Sequence, residues 1–257
     1  MKPQHLIDYV LHLADNALVL GHRNSEWTGH GPILEQDIAL SNIALDLIGQ
    51  ARYLYQYAAQ MMNTAEKPPV AEVSEDQLAY LRDSWDFRNC LLVEQGNGDW
   101  GKTVMRQFLF SVYQFQFYQE LQQSRDAELS AIAEKSLKEV TYHLRWSGEW
   151  VVRLGDGTEE SHKRMEKALD ELWMYTGELF QPADYEQALE PAGIAVDVTG
   201  IRPIWEERVR EVFQTATLTV PTSVFQSGGK QGRHTEQLSY LLAEMQFLQR
   251  AYPGCDW

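Results

Sequence analysis

Cysteine is nearly absent from this chain: Cys90 and Cys255 are the only two in 257 residues. They form no CxxC pair, so the sequence suggests neither a thiolate metal site nor a disulfide framework. No stretch reaches the roughly 18 uninterrupted apolar residues that a membrane-spanning helix needs. The opening MKPQHLIDYV meets Asp8 before a signal-like apolar region develops, so a soluble, cytoplasmic protein is expected. Basic charge is scarce as well, with 22 Lys and Arg against 37 Asp and Glu, a net charge of −15. Acidic self-repulsion argues against a nucleic-acid surface, though it leaves room for a local basic spot facing a small phosphorylated ligand. Strand-like alternation is missing except at GIAVDV, residues 193–198. No internal repeat, low-complexity tract or linker interrupts the chain.

Helical periodicity fills what remains. Leu6, Val10, Leu13, Ala14 and Ala17 form one stripe within residues 4–20. A run free of proline from Ile33 to Asn63 carries apolar residues on more than one face, as a helix packed on several sides does. Ser74 is placed to cap a helix reaching about Phe87, Asp126 one reaching about Leu154, and Thr158 one reaching about Phe180. Further helices are expected at 102–124, near 203–215 and from Thr235 to about Tyr252, with 94–101, 181–203 and the stretch before Thr235 irregular. The expectation is one all-α domain over residues 1–257, a four-helix bundle with extra helices.

Bundles of this kind can hold iron. Glu139 and His143 in LKEVTYHLRW stand four apart, on one helical face. A di-iron carboxylate site takes a Glu from each of two helices and a Glu-x-x-His from each of two others. The residues three before the seven histidines are Lys2, Tyr9, Val19, Trp27, Val140, Glu159 and Gln231. Only Glu159–His162 has the required spacing, and it lies in the first turn after a Thr cap, where acidic residues are favoured anyway. A second polar series, Asn42, Asp46 and Gln50 with Tyr53 and Tyr57, runs along the 33–63 helix. Spacing alone leaves it either a solvated face or an interior network.

Five segments together point to a family: DLIGQARYLYQYAA (46–59), LLVEQGNGDW (91–100), KEVTYHLRWSGEW (138–150), GGKQGRHTEQL (228–238) and LAEMQFLQR (242–250). They resemble the C subunits of the bacterial phenylacetyl-CoA epoxidase complex, along essentially the whole chain. The resemblance implies a ferritin-like bundle that partners a related A subunit, which holds the di-iron centre, together with the small B subunit. It also implies a reaction on the partner that inserts one oxygen of O₂ across the ring of phenylacetyl-CoA, with electrons from a separate reductase. Set beside the catalytic sister, Leu47 and Gln50 stand where that sister has one Glu-x-x-His, and Val140 and His143 where it has the other. Ala17 stands near its first-helix glutamate. The chain thus looks like a degenerate copy, with no catalytic residue and no cofactor of its own, inactive alone. The competing expectations are a metal-binding oxygenase built on His143 and Glu139, and an acyl-CoA-binding module.

Other features remain open at this level. The aromatic run from Phe108 to Tyr118 either packs internally or faces a partner. SGGKQGRH (227–234) offers Lys230 and Arg233 beside glycines, a combination able to cradle phosphate, although glycines between helices commonly serve as caps. Arg82, Asp83, Ser84, Trp85 and Asp86, together with Asp184, Tyr185 and Glu186, are candidates for acyl-CoA or partner contact.

Overall fold

A computed structural model describes residues 3–255. Four long helices carry the architecture: α1 (Pro3–Ser25), α2 (Leu34–Asn63), α5 (Trp100–Leu121) and α6 (Ala127–Gly155). Between α2 and α5 lie the short helices α3 (Glu75–Tyr80) and α4 (Leu91–Glu94). After α6 come α7 (Glu159–Leu172), α8 (Asp184–Leu189), α9 (Arg202–Thr215), α10 (Glu236–Met245) and α11 (Phe247–Ala251). The chain is an all-α, ferritin-like bundle, with α1 packed chiefly on α2 and α5 chiefly on α6.

The expected caps are in place. Ser74 accepts from the Gln77 amide, Asp126 from that of Leu129 and Thr158 from that of Ser161, each worth about 1 kcal/mol. Helix α1 is enclosed nearly all round, every residue from Tyr9 to Gly21 being buried. Gly21 permits this, since a Cβ there would sit 3.2 Å from Leu47 and Ile48 of α2.

Several boundaries differ from the expected ones, and tertiary contacts explain them. The helix from Ser74 stops at Tyr80 because Arg82 turns inward to Asp15; a 3₁₀ turn at Ser84–Asp86 follows. The helix from Thr158 ends at Leu172 and continues as 3₁₀ turns at Trp173–Tyr175 and Gly177–Phe180, which carry Glu178 inward. The stretch expected to be irregular contains α8. The last helix is interrupted at Gln246, whose buried amide donates to the carbonyls of Ala79 and Arg82 at 3.2 and 3.0 Å. GIAVDV is not a strand, and no strand occurs among the described residues.

The aromatic run belongs to the core. Phe108, Phe110, Tyr113, Phe117 and Tyr118 are all buried, against rings such as Phe180 and Phe213. Within the four long helices, most of the exposed large apolar side chains lie instead on α2: Leu34 (70% exposed), Ile38, Leu45 (65%), Ile48 and Tyr53.

Candidate functional site

Two helical ladders face each other in the middle of the bundle. Asp46 and Gln50 stand one turn apart on α2, and Glu139 and His143 one turn apart on α6. The i, i+4 spacing that aligns each pair lets the ladders meet rung to rung. His143 Nε2 lies 3.0 Å from Asp46 Oδ2, and Gln50 Nε2 donates to Glu139 Oε2 at 2.9 Å. On its other side Gln50 Oε1 accepts from Gln114 Nε2 at 3.1 Å and from the Tyr118 hydroxyl at 3.2 Å, both on α5. The polar series of α2 therefore divides: Asn42 and Tyr53 face solvent, whereas Gln50 is buried within an interior network.

The surroundings shift the charges. Burial raises the Glu139 carboxyl above its ordinary value and the Asp46 charge adds to this, while the Gln50 hydrogen bond and His143 oppose it. Burial likewise pushes the Tyr118 phenol up to about 12. His143 is fully buried and its Nδ1 has no hydrogen-bond partner among the described residues; the same holds for Gln114 Oε1.

Ala17, Leu47 and Val140, which the resemblance places at iron-ligand positions, are each fully buried within this core. A carboxylate-bridged di-iron centre takes four glutamates and two histidines, and three of those positions here carry side chains with no donor atom. The carboxamide of Gln50 is committed on both its nitrogen and its oxygen. The donor set does not fit a di-iron centre. Among the described residues no three His, Cys, Asp or Glu side chains converge closely enough to hold a metal ion. Glu159 and His162 do not converge either: Glu159 pairs with Lys163 at 2.6 Å, and His162 Nδ1 lies 2.7 Å from the Gly155 carbonyl oxygen.

A second polar network brings together most of the other candidates. Asp15, fully buried on α1, binds Arg82 in an ion pair and accepts from the Tyr55 hydroxyl at 2.5 Å and the Arg88 amide at 2.8 Å. His12, one turn earlier, has Nδ1 2.7 Å from the Arg88 carbonyl oxygen and Nε2 4.0 Å from Glu186. Burial drives the His12 imidazole down to about 4 despite the neighbouring Glu186. Lys230 is 1% exposed, with Nζ 2.9 Å from Glu186 and 3.0 Å from the Gln181 carbonyl oxygen. Burial works against its charge, but Glu186, Cys90 and Glu178 together outweigh it and its pKa is raised. Glu186 also accepts from the Ala183 amide at 2.7 Å, and the Tyr185 hydroxyl donates to the Lys230 carbonyl.

The glycine loop is thus folded around carboxylates. Glu178 accepts from the amides of Leu91, Gly228 and Lys230. Glu94 accepts from the Thr235 amide at 2.7 Å and lies 2.8 Å from His234 Nδ1. The backbone N–H groups of Gly228 and Lys230 point at a protein carboxylate, the kind of anion the sequence pattern would otherwise offer to a phosphate. Arg233, Asp83, Asp86, Asp184 and Trp85 (72% exposed) remain at the surface, Ser84 is partly covered, and Asp83 accepts from Arg250 at 2.9 Å. His12, Asp15, Glu94 and Glu178 carry this network and are not among the sequence candidates. The signal for the first two is that His12 and Asp15, with Asn16, are the polar residues inside the otherwise apolar stretch from Tyr9 to Leu20.

A ferritin-like bundle whose mid-core is cross-linked by an amide, a carboxylate and an imidazole is the class that fold and site define. The model of the family described as phenylacetic acid catabolic protein matches residues 1–257. A curated relative, the C subunit of 1,2-phenylacetyl-CoA epoxidase from Escherichia coli (strain K12), is 46% identical over 253 residues, covering 98% of this chain and 99% of that protein. The chain belongs to the phenylacetic acid catabolic protein family.

Proposed function

We propose that this chain is a non-catalytic, structural subunit of a phenylacetyl-CoA epoxidase of aerobic phenylacetate breakdown, supporting a related di-iron subunit on which the chemistry occurs. The observation that carries the proposal is Gln50: its amide links Glu139, Gln114 and Tyr118 across three helices where the resemblance expects an iron ligand. A core cross-linked by neutral and charged hydrogen bonds needs no metal to join its helices. Such a rigid bundle suits the burial of a large partner surface, and the apolar stripe of α2 offers the face for it. Co-expression with the related A subunit tests the proposal. That partner's solubility and turnover should depend on this chain; unchanged solubility and turnover in its absence would contradict a supporting role.

A second reading, a metal-binding oxygenase, is favoured by one observation: His143 Nε2 reaches Asp46 while its Nδ1 is unpartnered among the described residues, with Glu139 one turn away. Iron analysis of the purified chain separates the two. Stoichiometric iron that disappears in His143→Ala supports the oxygenase and sinks the structural proposal.

A further inference from the structure

Between α6 and α9 runs an open groove of about 750 Å³. Leu144 and Val152 of α6 and Val212 of α9 give it apolar walls, and Gly148 and Phe108 complete the apolar lining. Three arginines line it: Arg145 and Arg153 from α6, and Arg208 from α9.

These arginines differ from the surface cations that are held in ion pairs. Lys102, Lys163, Arg164 and Arg202 each pair with a carboxylate. Arg145, Arg153 and Arg208 make no hydrogen bond or ion pair with any described residue, although Glu149 and Asp156 line the same groove. Each guanidinium lies instead over an aromatic ring: Arg145 over Tyr142 at 5.7 Å, Arg153 over Trp150 at 4.8 Å and Arg208 over Phe115 at 4.9 Å. Stacking restrains the plane of a guanidinium while leaving its N–H edges free. Three such edges flanking an apolar floor, on a protein of net charge −15, form a local inversion of the surface field.

We propose that this groove docks an acidic segment of another subunit of the same assembly, with apolar side chains between its carboxylates; this rests on the chain being a subunit, as proposed above. Charge complementarity selects the occupant, because carboxylates match the free guanidinium forks in pairs. Arg145 and Arg153 are eight residues apart on one helix, roughly 12 Å. Carboxylates about two helical turns apart on the incoming segment span that distance. The intervening apolar residues rest on Leu144, Val152 and Val212.

Arginine-selective modification with phenylglyoxal, read residue by residue by mass spectrometry, tests this on the isolated chain and on the co-purified assembly. Reactivity of all three arginines should fall several-fold on assembly at low salt and recover at high salt. The triple variant Arg145→Glu/Arg153→Glu/Arg208→Glu, with unchanged circular dichroism, should bind at least about tenfold more weakly, mainly through slower association. Equal reactivity of the three in the free chain and in an intact assembly overturns the docking proposal and leaves the subunit role standing. Protection of the isolated chain by added phenylacetyl-CoA, without protection on assembly, overturns it in favour of a small-anion site. Failure of any assembly to form overturns both proposals.

Discussion

Gln50 and Glu139 meet across the bundle at 2.9 Å, amide to carboxylate, and this contact joins α2 to α6 at mid-core. The oxygen of the same amide anchors α5 by accepting from Gln114 and Tyr118. One side chain thereby ties three of the four long helices together.

Replacing that amide with an apolar group of similar size leaves polar partners unpaired. Gln50→Leu should cost about 1–3 kcal/mol, since the Tyr118 hydroxyl and the Gln114 amide lose their acceptor in a buried setting. Urea denaturation at neutral pH measures the loss. Wild-type stability in this variant would mean that the network carries no net stabilisation.

Lys230 and Glu186 form an ion pair with both side chains 1% exposed. Lys230→Met leaves Glu186 charged and without its cation, which should destabilise the chain by about 3–5 kcal/mol. Lys230→Met/Glu186→Gln should recover part of that, because no unpaired buried charge remains. The unfolding free energies of the two variants, compared at one pH, decide the point.

Acid should weaken the fold through His12. Its pKa is lowered from 6.5 to about 4 by burial, so the folded chain holds the imidazole neutral where the unfolded chain protonates it. The unfolded state binds more protons between those values. Stability is therefore fully present above about pH 6.5 and falls as pH drops toward 4, by roughly 3 kcal/mol from this residue. Unfolding free energy measured from pH 7 to pH 4.5 should decline less steeply in His12→Gln than in the wild type.

The exposed stripe of α2 separates folding from assembly. Leu45 is 65% exposed, so Leu45→Asp should leave the melting temperature of the isolated chain nearly unchanged. In a co-purification the same variant should recover much less of the related A subunit. Full recovery would place the partner surface elsewhere.

Local spacing makes much of the fold legible. Ser74, Asp126 and Thr158 cap helices where the sequence places them, and α2 runs almost as its proline-free stretch suggests. The boundaries that differ are those set by distant partners. Arg82 leaves its helix for Asp15, 67 residues away in sequence, and no local pattern reports that. Lys230 illustrates the same limit: a cation among glycines suggests a phosphate cradle, but its partner Glu186 lies 44 residues away. At mid-core, Glu139 and His143 are visible as a pair on one face, and Asp46 and Gln50 as a polar stripe. That the stripes face each other follows from how α2 packs on α6, which periodicity does not encode. The aromatic run shows the complementary case, since helical spacing cannot distinguish a buried face from one that awaits a partner.

The most direct test of the central claim is turnover of the assembled epoxidase carrying Asp46→Asn/Glu139→Gln/His143→Gln in this chain. These substitutions keep hydrogen-bonding shape while removing the carboxylates and the imidazole that a metal or proton-transfer role would require. Turnover equal to the wild-type assembly is the predicted result. Loss of turnover in an assembly that still forms with the same composition would contradict the structural role and place chemistry in this chain.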